Sequence, residues 1–184
     1  MSSNVELDGL KTLRTGNLLL IIAPILTMVG LSAALGGLFS GSLAFAAAGA
    51  SAELGAAIVG ALLELAAVYM FMKGFDTLRE VAPEVGIGRT GSMLVLVAVI
   101  LLIIGLVGLL VGAFPLVFLV ALGALLDFIG IIMVAIGFYR VGSRYGEGLV
   151  KVGGILLILG GLAFIGAILN YIGLGGIIRK KFGQ

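Results

Sequence analysis

The sequence contains no cysteine, no histidine and no tryptophan, and only 11% of its 184 residues are charged. Without cysteine and histidine, the chain cannot form disulfides, thiolate or imidazole metal sites, histidine-ligated haem, or the catalytic triads that need either residue. A soluble domain usually carries about a quarter charged residues, because charge covers its water-facing surface. We therefore predict a protein that works in lipid, with no metal, no cofactor and no enzymatic activity.

Apolar residues are abundant instead, at 61% of the chain, and the mean hydropathy is +1.33. The apolar runs between the charged clusters exceed the ~20 residues that cross a bilayer as an α-helix. We predict an all-α, polytopic transmembrane bundle of about five spans, forming one domain over residues 1–184. The spans lie at about 17–39, 52–72, 90–112, 115–139 and 149–176, with short amphipathic helices at the membrane interface at about 5–15 and 75–82.

The basic residues predict the orientation. With the N-terminus in the cytoplasm, the cytoplasmic segments hold every lysine and arginine up to Lys151 and the external turns hold none, which is the positive-inside pattern. The pI of about 9.1 therefore reflects orientation, and we predict no nucleic-acid binding. Five spans place the basic residues at 179–181 outside, against this pattern. The alternative is a last segment that bends back at 160–161, but its roughly 30 residues are too few for two full crossings.

The polar clusters indicate an internal repeat. Arg14-Thr15-Gly16 and Arg89-Thr90-Gly91 are identical and open odd-numbered spans, and Lys151-Val152-Gly153 opens the fifth in the same way. In the even spans, 60–64 (GALLE) matches 123–127 (GALLD) with an offset of 63 (123 − 60). We predict parallel repeats of a helical hairpin, twice in full and a third time without the return helix.

Several motifs resemble a known family. The pattern Gly74-Phe75-x-x-Leu78, the Gly-x-Gly-Arg-Thr-Gly run from Gly86, and Tyr171-Ile172-Gly173-Leu174 are similar to an archaeal family of multi-span membrane proteins of unknown function. The resemblance covers most of the chain from Leu7 onward. It implies an archaeal plasma membrane, and it supplies no activity, ligand or functional residue.

Two carboxylates interrupt the apolar spans. Glu64 lies nine residues before Lys73, or ~13 Å along a helix, and Asp127 thirteen before Arg140, or ~20 Å, which places both near the middle of a ~30 Å hydrocarbon core. An ionised acid there costs at least about 2.5–3.5 kcal/mol. Three hypotheses follow: a proton or cation site, a protonated pair hydrogen-bonded to neighbouring backbone or to Asn170, or a contact with another subunit.

The last span carries a regular series of small residues and one amide, Asn170, which we interpret as a hydrogen-bonding contact between helices. Glycines recur every seven residues, close to two helical turns, so they form narrow stripes that let helix backbones approach. The pairs are Gly153 with Gly160, Gly154 with Gly161, and Gly166 with Gly173.

The absence of reactive side chains favours a non-enzymatic structural or accessory subunit of a membrane assembly. Its expected partners are membrane lipids and a second copy or a larger complex in the plasma membrane. The alternative is a small proton- or ion-coupled transporter or channel built around Glu64 and Asp127.

Overall fold

The computed structural model describes residues 2–39, 43–110 and 114–183, and these ranges are helical with no strand. The α-helices are α1 (Ser2–Phe39), α2 (Leu43–Arg79), α3 (Gly86–Leu110), α4 (Val117–Arg144), α5 (Gly148–Ile158) and α6 (Ala163–Phe182). Short 3-10 turns precede α3, α4 and α6, at Pro83–Val85, Phe114–Leu116 and Gly160–Leu162. The all-α prediction is confirmed.

Five stretches within the described residues are long and apolar enough to cross a membrane, as predicted, although their boundaries differ from the predicted ones. They are Ser3–Leu26, Ser51–Arg79, Pro83–Gly105, Val117–Arg144 and Gly160–Phe182. The alanine-rich segment after residue 43 belongs to α2 rather than to a linker, because alanine has the highest helix propensity. Residues 40–42 and 111–113, which include part of the predicted turn before the fourth span, lie outside the described residues.

The two predicted interfacial helices are not separate elements. Residues 5–15 are the first turns of α1, and α2 runs through residue 75 to its end at Arg79. Leu10 and Leu13 are fully buried and pack in one core cluster with Leu78. The leucine stripe of α1 therefore faces its own bundle instead of a lipid surface.

The predicted continuous fifth helix over 149–176 is replaced by two helices that run antiparallel. α5 has 11 residues, about 16 Å at 1.5 Å per residue, and the chain then reverses. Near the start of α5, Val150 lies against Gly173, and further along Gly153 lies against Gly166. The reversal occurs at the Gly160-Gly161 pair, where two consecutive residues of low helix propensity meet. The observed structure is the alternative to five full crossings, a last segment that bends back at 160–161.

This reversal gathers the basic side chains at one end of the bundle, which we call the charged end. All 11 lysines and arginines fall in the half of their helix nearest this end. The conflict that five full spans created for residues 179–181 is thereby removed. Four ion pairs join separate elements there: Lys181–Glu6 at 2.6 Å, Lys180–Glu147 at 2.9 Å, Arg144–Glu84 at 2.7 Å and Arg89–Asp76 at 2.8 Å.

The helices form three consecutive hairpins, α1–α2, α3–α4 and α5–α6, which close into a ring. Each return helix packs against the outward helix of the next hairpin: α2 on α3, α4 on α5, and α6 on α1. Inside the ring, near the charged end, Phe138 makes edge-to-face contacts with Phe71 and Phe75, with ring centroids 5.1 Å apart in both pairs. These aromatic rings form the centre of the core.

In every hairpin a glycine packs closely against the facing helix. A Cβ atom on Gly91 would lie 2.6 Å from the Gly130 carbonyl oxygen and 2.7 Å from the Val134 nitrogen. Both are backbone atoms, so neither can move aside without shifting α4. The corresponding close contacts in the three hairpins are Gly16 with Ala67 and Phe71, Gly91 with Gly130 and Val134, and Gly153 with Gly166 and Asn170.

We predict that Gly91→Ala lowers the unfolding temperature in detergent, at a cost of about 1–3 kcal/mol, because the added methyl group overlaps the backbone of α4. Gly160→Ala is the matched control: a Cβ there meets nothing within 4 Å, so its effect should stay within about 0.5 kcal/mol. Equal unfolding temperatures for the two variants would show that α3 and α4 do not approach at Gly91.

Candidate functional site

A cavity of about 470 Å³ lies inside the ring, and both predicted carboxylates line it. Glu64 reaches it from α2 and Asp127 from α4, while the remaining wall is mainly aliphatic, including Leu20 of α1, Val95 of α3 and Leu157 of α5. The structure thus brings together two acids that are 63 residues apart in sequence (127 − 64).

Neither carboxylate has a partner within the described residues. Glu64 is exposed in the single chain and Asp127 is half-buried, and no described side chain forms a hydrogen bond or ion pair with either. The basic side chains all lie toward the charged end. The cavity therefore holds two acidic groups whose charge nothing in the described protein offsets.

The aromatic cluster closes the cavity toward the charged end. Phe71 lines the cavity, and below it Phe75 and Phe138 are fully buried. Phe138 contacts both other rings edge to face, with centroids 5.1 Å apart in each pair. The floor of the cavity is thus formed by packed aromatic rings.

The tip of the third hairpin forms the opposite boundary. Leu157 and Ala163, on either side of the turn, both line the cavity. Between them, Leu159 and Leu162 are 53% and 41% exposed, and a Cβ on Gly160 would meet nothing within 4 Å. The α5–α6 hairpin therefore ends at the level of the two carboxylates, and beyond that level the described residues form only the other two hairpins.

Asn170 lies apart from this cavity. Its side chain is fully buried between α5 and α6, in contact with the backbone of Gly153. Neither its amide nitrogen nor its amide oxygen has a hydrogen-bond partner among the described residues. No hydrogen bond joins it to Glu64 or Asp127, so the structure separates the amide from the two acids with which sequence analysis grouped it.

The glycines predicted to form stripes on one helix lie in different places. Gly153 and Gly166 face each other across the third hairpin, and Gly173 packs on Val150. Gly154 contacts α4, where a Cβ would lie 2.8 Å from the Ala135 carbonyl oxygen. Gly160 and Gly161 sit in the turn, where a Cβ on either would meet nothing within 4 Å. The four that pack do so inside the chain rather than along one surface.

A buried acid at the charged end escaped the sequence analysis. The Glu6 carboxylate, only 8% exposed, accepts hydrogen bonds from the Tyr145 hydroxyl and from the Lys181 ammonium group at 2.6 Å. Its partners are 139 and 175 residues away in sequence, so no local pattern could have indicated them. Burial, and then the hydrogen bond to Glu6, raise the pKa of Tyr145 well above its usual value. This network ties the start of α1 to the ends of α4 and α6.

Comparison with known proteins gives one match. The model of a family described as "Protein of unknown function (DUF973)" matches residues 6–183. No curated protein and no solved structure matches the chain. The predicted resemblance to an uncharacterised family is confirmed, and its archaeal origin stays a prediction.

We predict that Tyr145→Phe lowers the free energy of unfolding at neutral pH by about 1.5–3 kcal/mol, since it removes a hydrogen bond to a buried carboxylate. Because the pKa of Tyr145 is raised by folding, the native protein should lose this stabilisation as the pH rises above about 10, where the unfolded chain ionises. The difference between native protein and variant should therefore shrink in alkaline buffer.

Thermal unfolding in detergent across this pH range measures the effect. Tyr139→Phe is the control, because Tyr139 on α4 is 46% exposed and has no hydrogen bond among the described residues. If the two variants unfold alike at neutral pH, Tyr145 does not anchor Glu6.

Proposed function

Because the chain belongs to this family of unknown function, we infer its activity from the geometry of the chain itself. We propose that it is a multi-pass plasma-membrane transporter coupled to a proton or another cation. The observation that carries this proposal is the cavity shared by Glu64 and Asp127. Ionisable residues within a membrane span are costly and typically mark ion pathways or proton relays. Two of them facing one cavity, with no described partner, are best explained by an external positive charge.

We infer that the charged end faces the cytoplasm. The helices that meet there carry all 11 basic residues, and such a bias is the orientation signal of membrane proteins. Both the start of α1 and the end of α6 then lie on the cytoplasmic side, and α5–α6 is a re-entrant hairpin. Five full crossings would instead place residues 179–181 outside, whereas this arrangement satisfies the positive-inside pattern without exception.

In this orientation the cavity lies near the middle of the membrane. Glu64 is nine residues from Lys73, or ~13 Å, in a hydrocarbon core of ~30 Å. An ionised carboxylate at this depth is costly, and each acid is stable there when it binds a proton or pairs with a cation. Exchange between these two states couples proton movement to cation binding.

The aliphatic wall narrows the kind of cation. A metal ion such as Ca²⁺ needs roughly six to eight oxygen ligands to replace its hydration shell, whereas two carboxylates offer at most four oxygen atoms. A proton needs one oxygen, and an organic cation is satisfied by one carboxylate and an apolar surface. The volume of about 470 Å³ lies in the range typical of small-molecule sites.

We further infer that the three hairpins are parallel repeats. Gly16 and Gly91 differ by 75 positions (91 − 16), and the residues they meet, Phe71 and Val134, differ by 63 (134 − 71), the offset found between the even spans. Gly153 continues the series, because it lies against Asn170 as Gly16 lies against Phe71. In this scheme α6 is the return helix that the third repeat was predicted to lack, and glycine-mediated packing is common to the three units.

An accessory role in a larger membrane assembly is the second candidate. Its support is the open rim above the third hairpin, where Leu159 and Leu162 are exposed beside Glu64. A helix of a second copy or of another subunit seated there would cover the carboxylates. Under this alternative the isolated protein has no transport activity of its own.

The test uses proteoliposomes with a trapped pH indicator, under a pH gradient and, in separate runs, under gradients of Na⁺, K⁺ and tetraphenylphosphonium. The native protein should move protons under at least one condition. Glu64→Gln and Asp127→Asn should each lower the rate roughly tenfold or more, since losing a charge-assisted contact costs about 1.5–3 kcal/mol.

Glu53→Gln is the control, because it removes an acid from the same helix outside the cavity lining. Its rate should equal that of the native protein. If native liposomes behave as empty ones, or if the cavity variants transport normally, the transporter proposal fails.

A further inference from the structure

The three repeats place equivalent residues around the cavity. Ala67 and Gly166 are 99 positions apart (166 − 67), and the same offset relates Glu64 to Ala163 (163 − 64). The offset of 63 between the even spans relates Glu64 to Asp127. All three residues line the cavity. The outward helices obey the same rule, since Leu20, Val95 and Leu157 are equivalent and line it too. The cavity therefore lies on the pseudo-threefold axis of the ring, with acids at two of three equivalent positions and alanine at the third.

On the side of the carboxylates that faces away from the charged end, the third repeat is much shorter than the other two. α3 continues for 15 residues past Val95 (110 − 95), about 22 Å, whereas α5 ends one residue past Leu157. On the return side, α2 begins 21 residues before Glu64 (64 − 43), while α6 begins at Ala163 itself. Three hairpins thus close the ring between the charged end and the carboxylates, and two hairpins continue on the far side of the carboxylates.

The missing wall makes an opening at the side of the bundle. Ile103 lines the cavity and is nevertheless 52% exposed, and the hairpin tip below the opening presents Leu159 and Leu162. The rim is therefore apolar. In the proposed orientation it lies at the depth of the lipid tails, so a ligand that uses this opening must dissolve in hydrocarbon.

Charge and lining restrict the ligand further. The cavity offers two carboxylates and no described basic group, so it selects positive charge. Ala163 leaves the third side of the axis small and apolar, beside Leu157, which gives room to the hydrocarbon part of an amphiphile. A small hydrated cation gains nothing on this side.

We propose, on the basis of the transport function above, that the cavity binds a lipophilic organic cation, an amine or quaternary cation with bulky apolar substituents, which arrives laterally from the bilayer over the tip of the third hairpin. The cation pairs with Glu64 and Asp127 and displaces their protons. Ala163 determines specificity, because it sets how much room the apolar substituents have.

Binding of tetraphenylphosphonium to the protein in lipid nanodiscs, measured by equilibrium dialysis, tests this directly. Tetramethylammonium has the same charge without the apolar surface and should bind at least tenfold more weakly. Ala163→Phe fills the apolar side and should weaken tetraphenylphosphonium binding tenfold or more. The matched control Ala124→Phe, on the exposed face of α4 and outside the cavity, should leave binding unchanged.

A second measurement does not depend on the folding of Ala163→Phe. The chain has no tryptophan, so Leu162→Trp places a single tryptophan at the opening, which can be excited selectively over the four tyrosines. Lipids brominated near the middle of their tails should quench it, and tetraphenylphosphonium should change its emission unless Glu64→Gln is also present.

The outcomes separate this inference from the transport function. If Na⁺ or K⁺ supports proton movement while tetraphenylphosphonium does not bind, the ligand class is wrong and the transport function stands. If Ala163→Phe and Ala124→Phe bind alike, or if only water-soluble quenchers reach the tryptophan, lateral access is wrong. If neither binding nor proton movement depends on Glu64 and Asp127, both proposals fall.

Discussion

The chain reverses direction at residues 159–162, and three features of the structure depend on that turn. It returns α6 to the charged end, where Lys181 meets Glu6 and Lys180 meets Glu147. It lets α6 pack on α1, so that three hairpins close a ring. It also stops the third hairpin at the level of the carboxylates, which leaves the cavity without a wall on one side. A continuous helix over 149–176 would remove all three.

The cavity follows from an energetic conflict that the fold does not resolve by itself. Apolar helices of this length need hydrocarbon around them, and hydrocarbon disfavours Glu64 and Asp127 as ions. At the charged end the same conflict is resolved internally, since Tyr145 and Lys181 satisfy the buried Glu6. In the cavity, no described group donates a hydrogen bond or forms an ion pair with either acid. The difference between these two acidic sites is the physical reason to assign function to one and a structural role to the other.

Much of the fold could be predicted because it depends on local sequence. The length of each apolar run indicates a helix, and the triplets that contain Gly16, Gly91 and Gly153 indicate where each hairpin begins. The turn at 160–161 was visible as a glycine pair, but length arithmetic for two full crossings excluded a hairpin whose first helix, α5, has only 11 residues. The leucines of α1 were assigned to the membrane interface because periodicity shows an apolar face without showing what covers it.

The candidate site was predictable in part for the same reason. An acid in an apolar run is conspicuous, so Glu64 and Asp127 could be singled out. That they share a cavity depends on ring closure, and Ala163 carries no signal at all until its equivalence to Glu64 is known. Asn170 was grouped with the acids because it is polar and buried, yet it lies on Gly153 inside the third hairpin. Composition finds polar residues, and only packing shows which of them meet.

The depth of the hairpin tip in the membrane tests most directly whether α5–α6 is a re-entrant hairpin. Because the chain has no cysteine, Gly160→Cys can carry a single nitroxide spin label in lipid bilayers, with Ser143→Cys as the reference at the charged end. A re-entrant hairpin predicts that the label at 160 collides readily with dissolved oxygen and rarely with a water-soluble nickel chelate, and that the label at 143 does the reverse. Strong collisions with the chelate at 160, from the face opposite residue 143, would show that the last helix crosses the membrane completely.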